Sequence, residues 1–409
     1  MEVKEIELKG HIIDSFILPK VFDIIMDNGG DFEVLQFNIG KHKTEPSYAR
    51  ILVKAKDRAT LDLILGELHK IGARVPEIEK LELKPAPKDG AAPLGFYSTT
   101  NHPTYVYIDK EWVEVENIEM DCCIVVDRER KKAVCKPIRE VKKGELIVAG
   151  KSGVRVEPLE RPRSYSVFEF MKSTVSPEKP TRALIKKIAE EMVEIKKKGK
   201  KILFVCGPAI VHTGASEALA ELIRLGFVDV LFAGNALAVH DLEFQLYGTS
   251  LGIDVKKVRP TEGGHRNHLY AINEVLLAGS IENLIKKGRL KAGIMYELIK
   301  NRIPFVLAGS IRDDGPLPEV ITDVVEAQKA MRRYLKDVEL VLMLATMLHS
   351  IAVGNLLPSK VKTICVDINP ATVIKLTDRG TAQALGIVSD VGVFIPILAE
   401  ELKKLKKRA

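Results

Sequence analysis

The sequence predicts an α/β protein whose C-terminal part is a parallel, Rossmann-like nucleotide-binding sheet, preceded by a ferredoxin-like α+β domain and a small β-rich module. Three observations carry that expectation. From Thr181 onward, long helical stretches alternate with short apolar runs, the pattern of a parallel sheet covered on both faces. The start of the chain alternates strand and helix in the order β-α-β-β-α-β. Between them lie short strands punctuated by turn residues. The predicted divisions are residues 1–85, 86–165 and 175–409, with a Pro- and Ser-containing linker between Glu160 and Pro180.

In the first division the strands are placed at Val3 to Leu8, Asp31 to Ile39 and Ala49 to Ala55, with a last edge near Leu81. A helix is expected near Pro19 to Asn28 and a second from Ala59 to Ile71, where Leu61, Ile64, Leu65 and Leu68 form one apolar stripe. In the second, Asp121 to Asp127 and Lys132 to Pro137 read as a hairpin joined through Arg128-Glu-Arg130. In the third, five strands are predicted at Lys201 to Cys206, Val228 to Ala233, Pro304 to Ala308, Val338 to Leu344 and Thr363 to Val366. Each ends where Gly, Asn, Asp or Thr residues collect. In an open parallel sheet the ligand lies outside the carboxyl ends of the strands, so these five loops should line one crevice.

The end of the chain is the most informative. Thr363-Ile-Cys-Val-Asp-Ile-Asn-Pro370 reads as a buried strand closed by an acid, and Ser389-Asp390 opens the last helix. A carboxylate in that position can accept both hydroxyls of a ribose, while the free N–H groups of a helix start attract phosphate. Two familiar phosphate motifs are missing. The turn Cys206-Gly-Pro-Ala-Ile-Val-His-Thr-Gly214 is not G-x-G-x-x-G, and no G-K-[ST] follows it. A standard dehydrogenase or NTPase is thereby disfavoured.

Composition narrows the class further. The chain has 409 residues, 46% of them hydrophobic, which is ample for two or three cores. No apolar run reaches membrane-spanning length and the N-terminus is charged, so a cytoplasmic protein is expected. The formal charge of +7 comes largely from Lys-rich helix faces without interleaved aromatics, which does not suggest nucleic-acid binding. The five cysteines sit in apolar strand-like segments without metal-ligand spacing, so they are expected to be core residues and no metal is expected.

The block Gly309-Ser-Ile-Arg-Asp-Asp-Gly-Pro-Leu-Pro318, with Phe232-Ala-Gly-Asn-Ala-Leu-Ala-Val-His-Asp241, Met343-Leu-Ala-Thr-Met-Leu-His349 and Val366-Asp-Ile-Asn-Pro370, resembles the archaeal-type ornithine cyclodeaminases, also described as LOR/SDH-like proteins. The resemblance runs nearly end to end and extends to the C-terminal part of arginine dihydrolase/ornithine cyclodeaminase fusions. It implies a deoxyhypusine synthase-like variant of the Rossmann sheet and the conversion of L-ornithine to L-proline and ammonia with internally recycled NAD. A homo-oligomer is expected. Carried over residue by residue, it puts cofactor contacts at Asn235, Ala236, Asp313, Ala345, Thr346, Met347, Leu348, Asp367, Asp390 and Val391. Catalysis is left open among Asp314, His265 and Lys375.

The mechanism so implied needs an anchor for the α-carboxylate, for which Arg266 and Arg312 are available, and a group that moves protons. His212, His240, His265 and His349 are candidates for the latter. Each residue has a plainer competitor. Asp313 and Asp314 precede Gly315-Pro316 and could simply shape a turn, Asn235 could close a turn beside Gly234, and Asp390 could only cap a helix. Alternatives for the whole protein are a saccharopine-dehydrogenase-like oxidoreductase, a transferase using Lys375, and a non-catalytic amino-acid or NAD sensor.

Overall fold

A computed structural model of the chain describes residues 2–13, 15–42, 45–75, 80–158, 181–250, 253–254, 259–260, 266–378, 381 and 384–408. The chain forms two compact units: Met1–Met171 together with Asn355–Lys360, and Lys172–Gly354 together with Val361–Ala409. The linker expected between Glu160 and Pro180 lies outside the described residues.

The first unit opens with β1 (Glu2–Gly10), α1 (Ile17–Asp27), β2 (Asp31–Asn38), β3 (Ser47–Ala55) and α2 (Arg58–Lys70). The strands form an antiparallel sheet in the order β1-β3-β2. Alternate residues of β3, among them Ala49, Ile51 and Val53, are fully buried and share one core with Val21 and Ile25 of α1 and Leu61, Ile64 and Leu68 of α2. The period of two along the strand thus meets the 3.6 period along each helix, and burial of both apolar faces holds the layers together. Asp57 caps α2 by accepting from Thr60 N at 2.8 Å.

One edge differs from expectation. The fourth position beside β1 is filled at Arg74, which exchanges backbone bonds of 2.9 and 2.7 Å with Glu7. The run after Leu81 instead becomes β4 (Glu82–Pro85), the edge of a second sheet. The cause is local: Gly72 adopts a left-handed φ of 90° and turns the chain back onto β1 immediately after α2. The second sheet adds β5 (Thr104–Ile108), β6 (Glu111–Glu116), β7 (Cys123–Asp127), β8 (Lys132–Lys136), β9 (Leu146–Ala149) and β10 (Val154–Val156), in the order β10-β5-β6-β8-β7-β9-β4. Strands β7 and β8 form the predicted hairpin. All five cysteines of the chain are free and buried.

The second unit contains α3 (Thr181–Lys197), β11 (Lys201–Cys206), α4 (Ala209–His212), α5 (Ser216–Arg224), β12 (Val230–Gly234) and α6 (Asn235–Tyr247). Three two-residue strands follow, β13 (Thr249–Ser250), β14 (Ile253–Asp254) and β15 (Arg259–Pro260). Then come α7 (Asn267–Ala278), α8 (Ile281–Lys286), α9 (Ile294–Lys300), β16 (Phe305–Ala308), β17 (Val320–Ile321) and α10 (Val324–Tyr334). The unit closes with β18 (Val338–Leu344), α11 (Met347–Leu356), β19 (Lys362–Asp367), α12 (Pro370–Asp378), β20 (Ala384–Val388) and α13 (Val391–Arg408).

Seven of these strands make one sheet in the order β17-β16-β12-β11-β18-β19-β20, and every neighbouring pair is parallel. Two of them, β17 and β20, add an edge on each side of the five predicted strands. The central strands read as nearly unbroken apolar runs and are buried along nearly their whole length, as a sheet covered on both faces requires. Among the described residues no helix is long and apolar enough to cross a membrane.

Candidate active site

Because the seven strands are parallel, the loops after them all leave from one edge of the sheet. The chain reverses its direction of travel between β11 and β18. From β11 it proceeds outward to β12, β16 and β17, and from β18 it proceeds the other way to β19 and β20. A split opens where neighbouring strands send their connections in opposite directions, and that is where open α/β sheets bind nucleotides.

The two loops at the split approach too closely for any side chain on Gly207. Its N–H donates to Leu344 O at 2.9 Å, and a Cβ placed there would lie 2.0 Å from Ala345 O. Opposite it, Ala345 is held at a left-handed φ of 49° while its N–H donates to Val366 O at 2.9 Å. The loops after β11 and β18 are therefore packed backbone against backbone at the split, with both of these N–H groups engaged within the protein.

On the β18–β20 side, Asp367 ends its strand 8% exposed. Its Oδ1 accepts from Asn369 N at 2.8 Å, so the loop that follows fixes the carboxylate. One strand further out, Asp390 caps α13: Oδ1 accepts from Gly392 N at 2.7 Å and its carbonyl accepts from Phe394 N at 2.9 Å. Val391 is buried behind it. Thr346 Oγ1 lies 3.3 Å from His349 Nδ1. Large apolar side chains stand exposed just beyond three strand ends: Ile311 in the loop after β16, Met347 and Leu348 at the start of α11, and Ile368 after β19. Apolar surface left open at a crevice edge suits the flat faces of aromatic rings.

On the β12–β16 side the side chains are engaged with one another. The Asn235 amide donates to Gly315 O at 3.2 Å, and its carbonyl accepts from Leu317 N at 3.2 Å. Much of that side chain thus braces the loop after β16, and what Asn235 and the half-buried Ala236 offer most directly is backbone at the start of α6. Asp313 likewise supports its own loop, accepting from Ser310 N at 2.9 Å. Arg266 and Arg312 are both exposed.

Behind these loops lies a stack of three imidazoles. The rings of His212 and His240 are 4.6 Å apart and those of His240 and His268 are 4.7 Å apart. Glu243, fully buried one helical turn beyond His240, lies against two of them. Its Oε2 is 3.4 Å from His240 Nδ1 and 3.5 Å from His268 Nδ1, while its Oε1 accepts from Thr249 Oγ1 at 2.9 Å. His268 Nε2 faces Asp314 Oδ2 at 3.3 Å, and His212 Nδ1 meets Ser250 Oγ at 2.7 Å. Burial, reinforced by the neighbouring imidazoles, pushes His212 down to about 4. Burial also lowers His349, with Asp313 acting against it. Asp241, on the same helix, has a different task. Its carboxylate accepts from Ser216 Oγ and Met295 N, and burial pushes it up to about 6.

The structure therefore brings Asp314, His212 and His240 together and adds Glu243 and His268, which sequence reasoning had not selected. The i, i+3 spacing of His240 and Glu243 was the available signal, since it puts both on one helix face. Lys375 is exposed on α12, after β19, on the opposite half of the sheet from the stack. His265 lies outside the described residues.

Comparison with known proteins is consistent along the whole chain. The family described as "Arginine dihydrolase ArgZ-like, C-terminal, Rossmann fold" matches residues 186–398, its first region matches 103–185, and the LOR/SDH bifunctional enzyme conserved region matches 3–102. An ornithine cyclodeaminase of Methanothermobacter thermautotrophicus is 62% identical over 99% of this chain and 99% of its own. The chain belongs to the archaeal ornithine cyclodeaminase family. Within that family, a crystal structure of a LOR/SDH protein from Methanococcus maripaludis superposes with a TM-score of 0.76 at 56% identity, covering 80% of this chain and 100% of that one. The ternary complex of AgrE with ornithine and NAD+ matches 100% of this chain and 58% of its own, at 40% identity and a TM-score of 0.55.

Proposed function

We propose that the protein is an NAD-dependent ornithine cyclodeaminase, which converts L-ornithine to L-proline and ammonia. The observation that carries this reading is the reversal of the parallel sheet between β11 and β18 with the strand-ending Asp367 beside it, in a chain matched over nearly its full length by a protein named for this activity. Gly207 lets the two loops meet without an intervening side chain, and the strand-ending carboxylate of Asp367 with the start of α13 one strand further out fits a dinucleotide. When bound, NAD supplies the acceptor, and then the donor, of the electron pair exchanged at the substrate's α-carbon.

The residues of the chain have separate tasks in this reading. Asp367 accepts from the adenosine ribose, and the start of α13 at Asp390 and Val391 offers N–H donors to phosphate. Ala345, Thr346, Met347 and Leu348 line the split, and Asn235, Ala236 and Asp313 shape the nicotinamide half. Residues 175–409 would form the catalytic domain, with 1–85 and 86–165 as accessory domains. A cytoplasmic homo-oligomer completes the assignment. The exposed apolar residues of edge strand β2 support self-association.

The test is direct. Incubation of the protein with NAD and ornithine should yield proline and ammonia in equal amounts with no accumulating NADH, because the electrons leave and return within one site. Steady NADH formation from ornithine would replace this reading with a net oxidoreductase.

A further inference from the structure

Conversion of ornithine to proline imposes a condition on protons as well as electrons. The substrate enters with two ammonium groups and one carboxylate, and the products leave as zwitterionic proline and one ammonium ion. No proton is gained or lost overall. Within the reaction, however, a substrate ammonium must give up a proton before its nitrogen can form an imine or attack one, and the nitrogen that departs must take a proton up. A single buried group that takes a proton and hands it back meets both needs without admitting water.

We propose that His240 is that group, with Glu243 as the positioning residue that holds its Nδ1 proton so that Nε2 is left to exchange with the substrate's amino nitrogens. This rests on the ornithine reading above and adds the residue that moves the proton. The argument is one of elimination within the stack. His268 lies within ion-pair reach of Glu243 at Nδ1 (3.5 Å) and Asp314 at Nε2 (3.3 Å), but its buried Nδ1 makes no hydrogen bond, so Glu243 does not fix its tautomer as it does that of His240. His212 has committed Nδ1 to Ser250 and is held neutral by burial and its neighbours. His240 faces one carboxylate through one nitrogen. An ionised carboxylate can only accept, so a hydrogen bond there requires the proton on Nδ1 and leaves the lone pair on Nε2, the same logic by which an acid orients a histidine base in hydrolytic triads. The 3.4 Å separation is of the loose kind that tightens when a substrate arrives.

The place is right as well. His240 follows β12, His212 follows β11 and Asp314 follows β16, so the stack belongs to the half of the crevice away from Asp367, where the nicotinamide end of a dinucleotide anchored at Asp367 would lie. In the forward direction an N–H bond of a substrate ammonium breaks and its proton goes to Nε2. When the carbon–nitrogen bond to the departing group breaks, its electron pair stays with that nitrogen, which takes the proton back from Nε2.

The test uses the full chain with His240→Gln and Glu243→Gln. His240→Gln should lower kcat by about 100-fold or more while NAD affinity, read by calorimetry, stays within about threefold. Among the described residues, the charged and titratable groups around His240 are His212 at the end of α4, Glu243 on its own helix, and His268 of α7 with Asp314 behind it. Removing the negative charge at Glu243 makes the imidazole harder to protonate, so the acid limb of the kcat/KM profile should move to lower pH by about one unit. A purely structural role would lower the rate and leave the limb in place. A second readout needs no activity: 15N spectra of histidine-labelled wild type should show His240 protonated on Nδ1, a state lost in Glu243→Gln.

A folded His240→Gln enzyme that keeps more than a tenth of kcat overturns the inference, as does an unmoved acid limb or an Nε2-protonated His240. So does a stoichiometric transition metal that survives chelation in wild type and is absent from Glu243→Gln. The ligand atoms of His240, Glu243 and His268 lie within 4.8 Å of one another and would then be serving a cation. A wild type inactive on ornithine would sink the ornithine reading alone, leaving the tautomer measurement to stand.

Discussion

The Asp367 carboxylate closes a buried strand, and among the described residues the Asn369 N–H donates to its Oδ1. A ribose supplies two further donors, whereas the 2′-phosphate of NADP would bring a second negative charge beside the first. The loop Ile368-Asn369-Pro370 holds no cation to offset it, and the nearest in sequence, Lys375, is exposed on α12. NAD should therefore be preferred over NADP. A charged acceptor contributes about 1.5–3 kcal/mol, so Asp367→Ala should weaken NAD binding by roughly one to two orders of magnitude and narrow the gap between the cofactors. Calorimetric titration of both cofactors into both proteins measures this. An unchanged preference in a folded variant would mean that Asp367 does not meet the ribose. Asp367 and Asp390 could be singled out from sequence because an acid at a strand end or helix start is marked by its immediate neighbours. Glu243 could not. Within a helical run it looks like any solvated glutamate, and only the fold shows it buried against residues 25 positions further along, at His268.

At the scale of elements, what the sequence made legible followed hydrophobic period, and what it hid followed short length or competing demands. The five central strands are apolar runs bounded by turn residues and were visible for that reason. Strand β17 is only two residues long. Strand β20 is interrupted by Gly386, where a Cβ would come within 2.0 Å of Val373 Cγ1, so α12 packs directly against strand backbone. The ferredoxin-like edge was placed near Leu81 because that segment has strand character, yet the turn at Gly72 delivers Arg74 to β1 first. Strand β2 raises a different question. It is an edge strand, and Val34, Leu35 and Phe37 on it, with Ile39 just beyond, are all exposed. An open apolar edge invites another strand, so this is where a second copy should pair. Replacing Leu35 and Phe37 with Lys should shift the protein to a smaller species in sedimentation velocity at unchanged far-ultraviolet dichroism. A double variant that sediments like wild type would place the interface elsewhere.

At the scale of the whole molecule, the chain does not pass from one unit to the other only once. It leaves the second unit at Asn355 and re-enters it at Val361, and the six intervening residues are counted with the first unit. There Asn355 O accepts from Met120 N at 3.1 Å, Ser359 N donates to Asn101 O at 2.7 Å, and His102 Nδ1 meets Ser359 Oγ at 3.0 Å. Leu357 beside them is fully buried. Division into domains by linker composition could not reveal this, because the segment is too short to carry a signature of its own. It changes what a truncation should do. All the proposed cofactor contacts lie between Asn235 and Val391, so a fragment of residues 172–409 should bind NAD within about threefold of the full chain, as affinity depends on the local loops. The same fragment should melt at a lower temperature, since 355–360 loses three hydrogen bonds worth about 0.5–1.5 kcal/mol each and Leu357 loses its cover. Calorimetry of NAD binding and a thermal melt, run side by side, separate the two effects. A fragment as stable as the full chain would mean that the returning segment contributes nothing to folding. A folded fragment without NAD affinity would mean that residues before 172 complete the cofactor site, and the strand-edge crevice alone would then be insufficient to hold NAD.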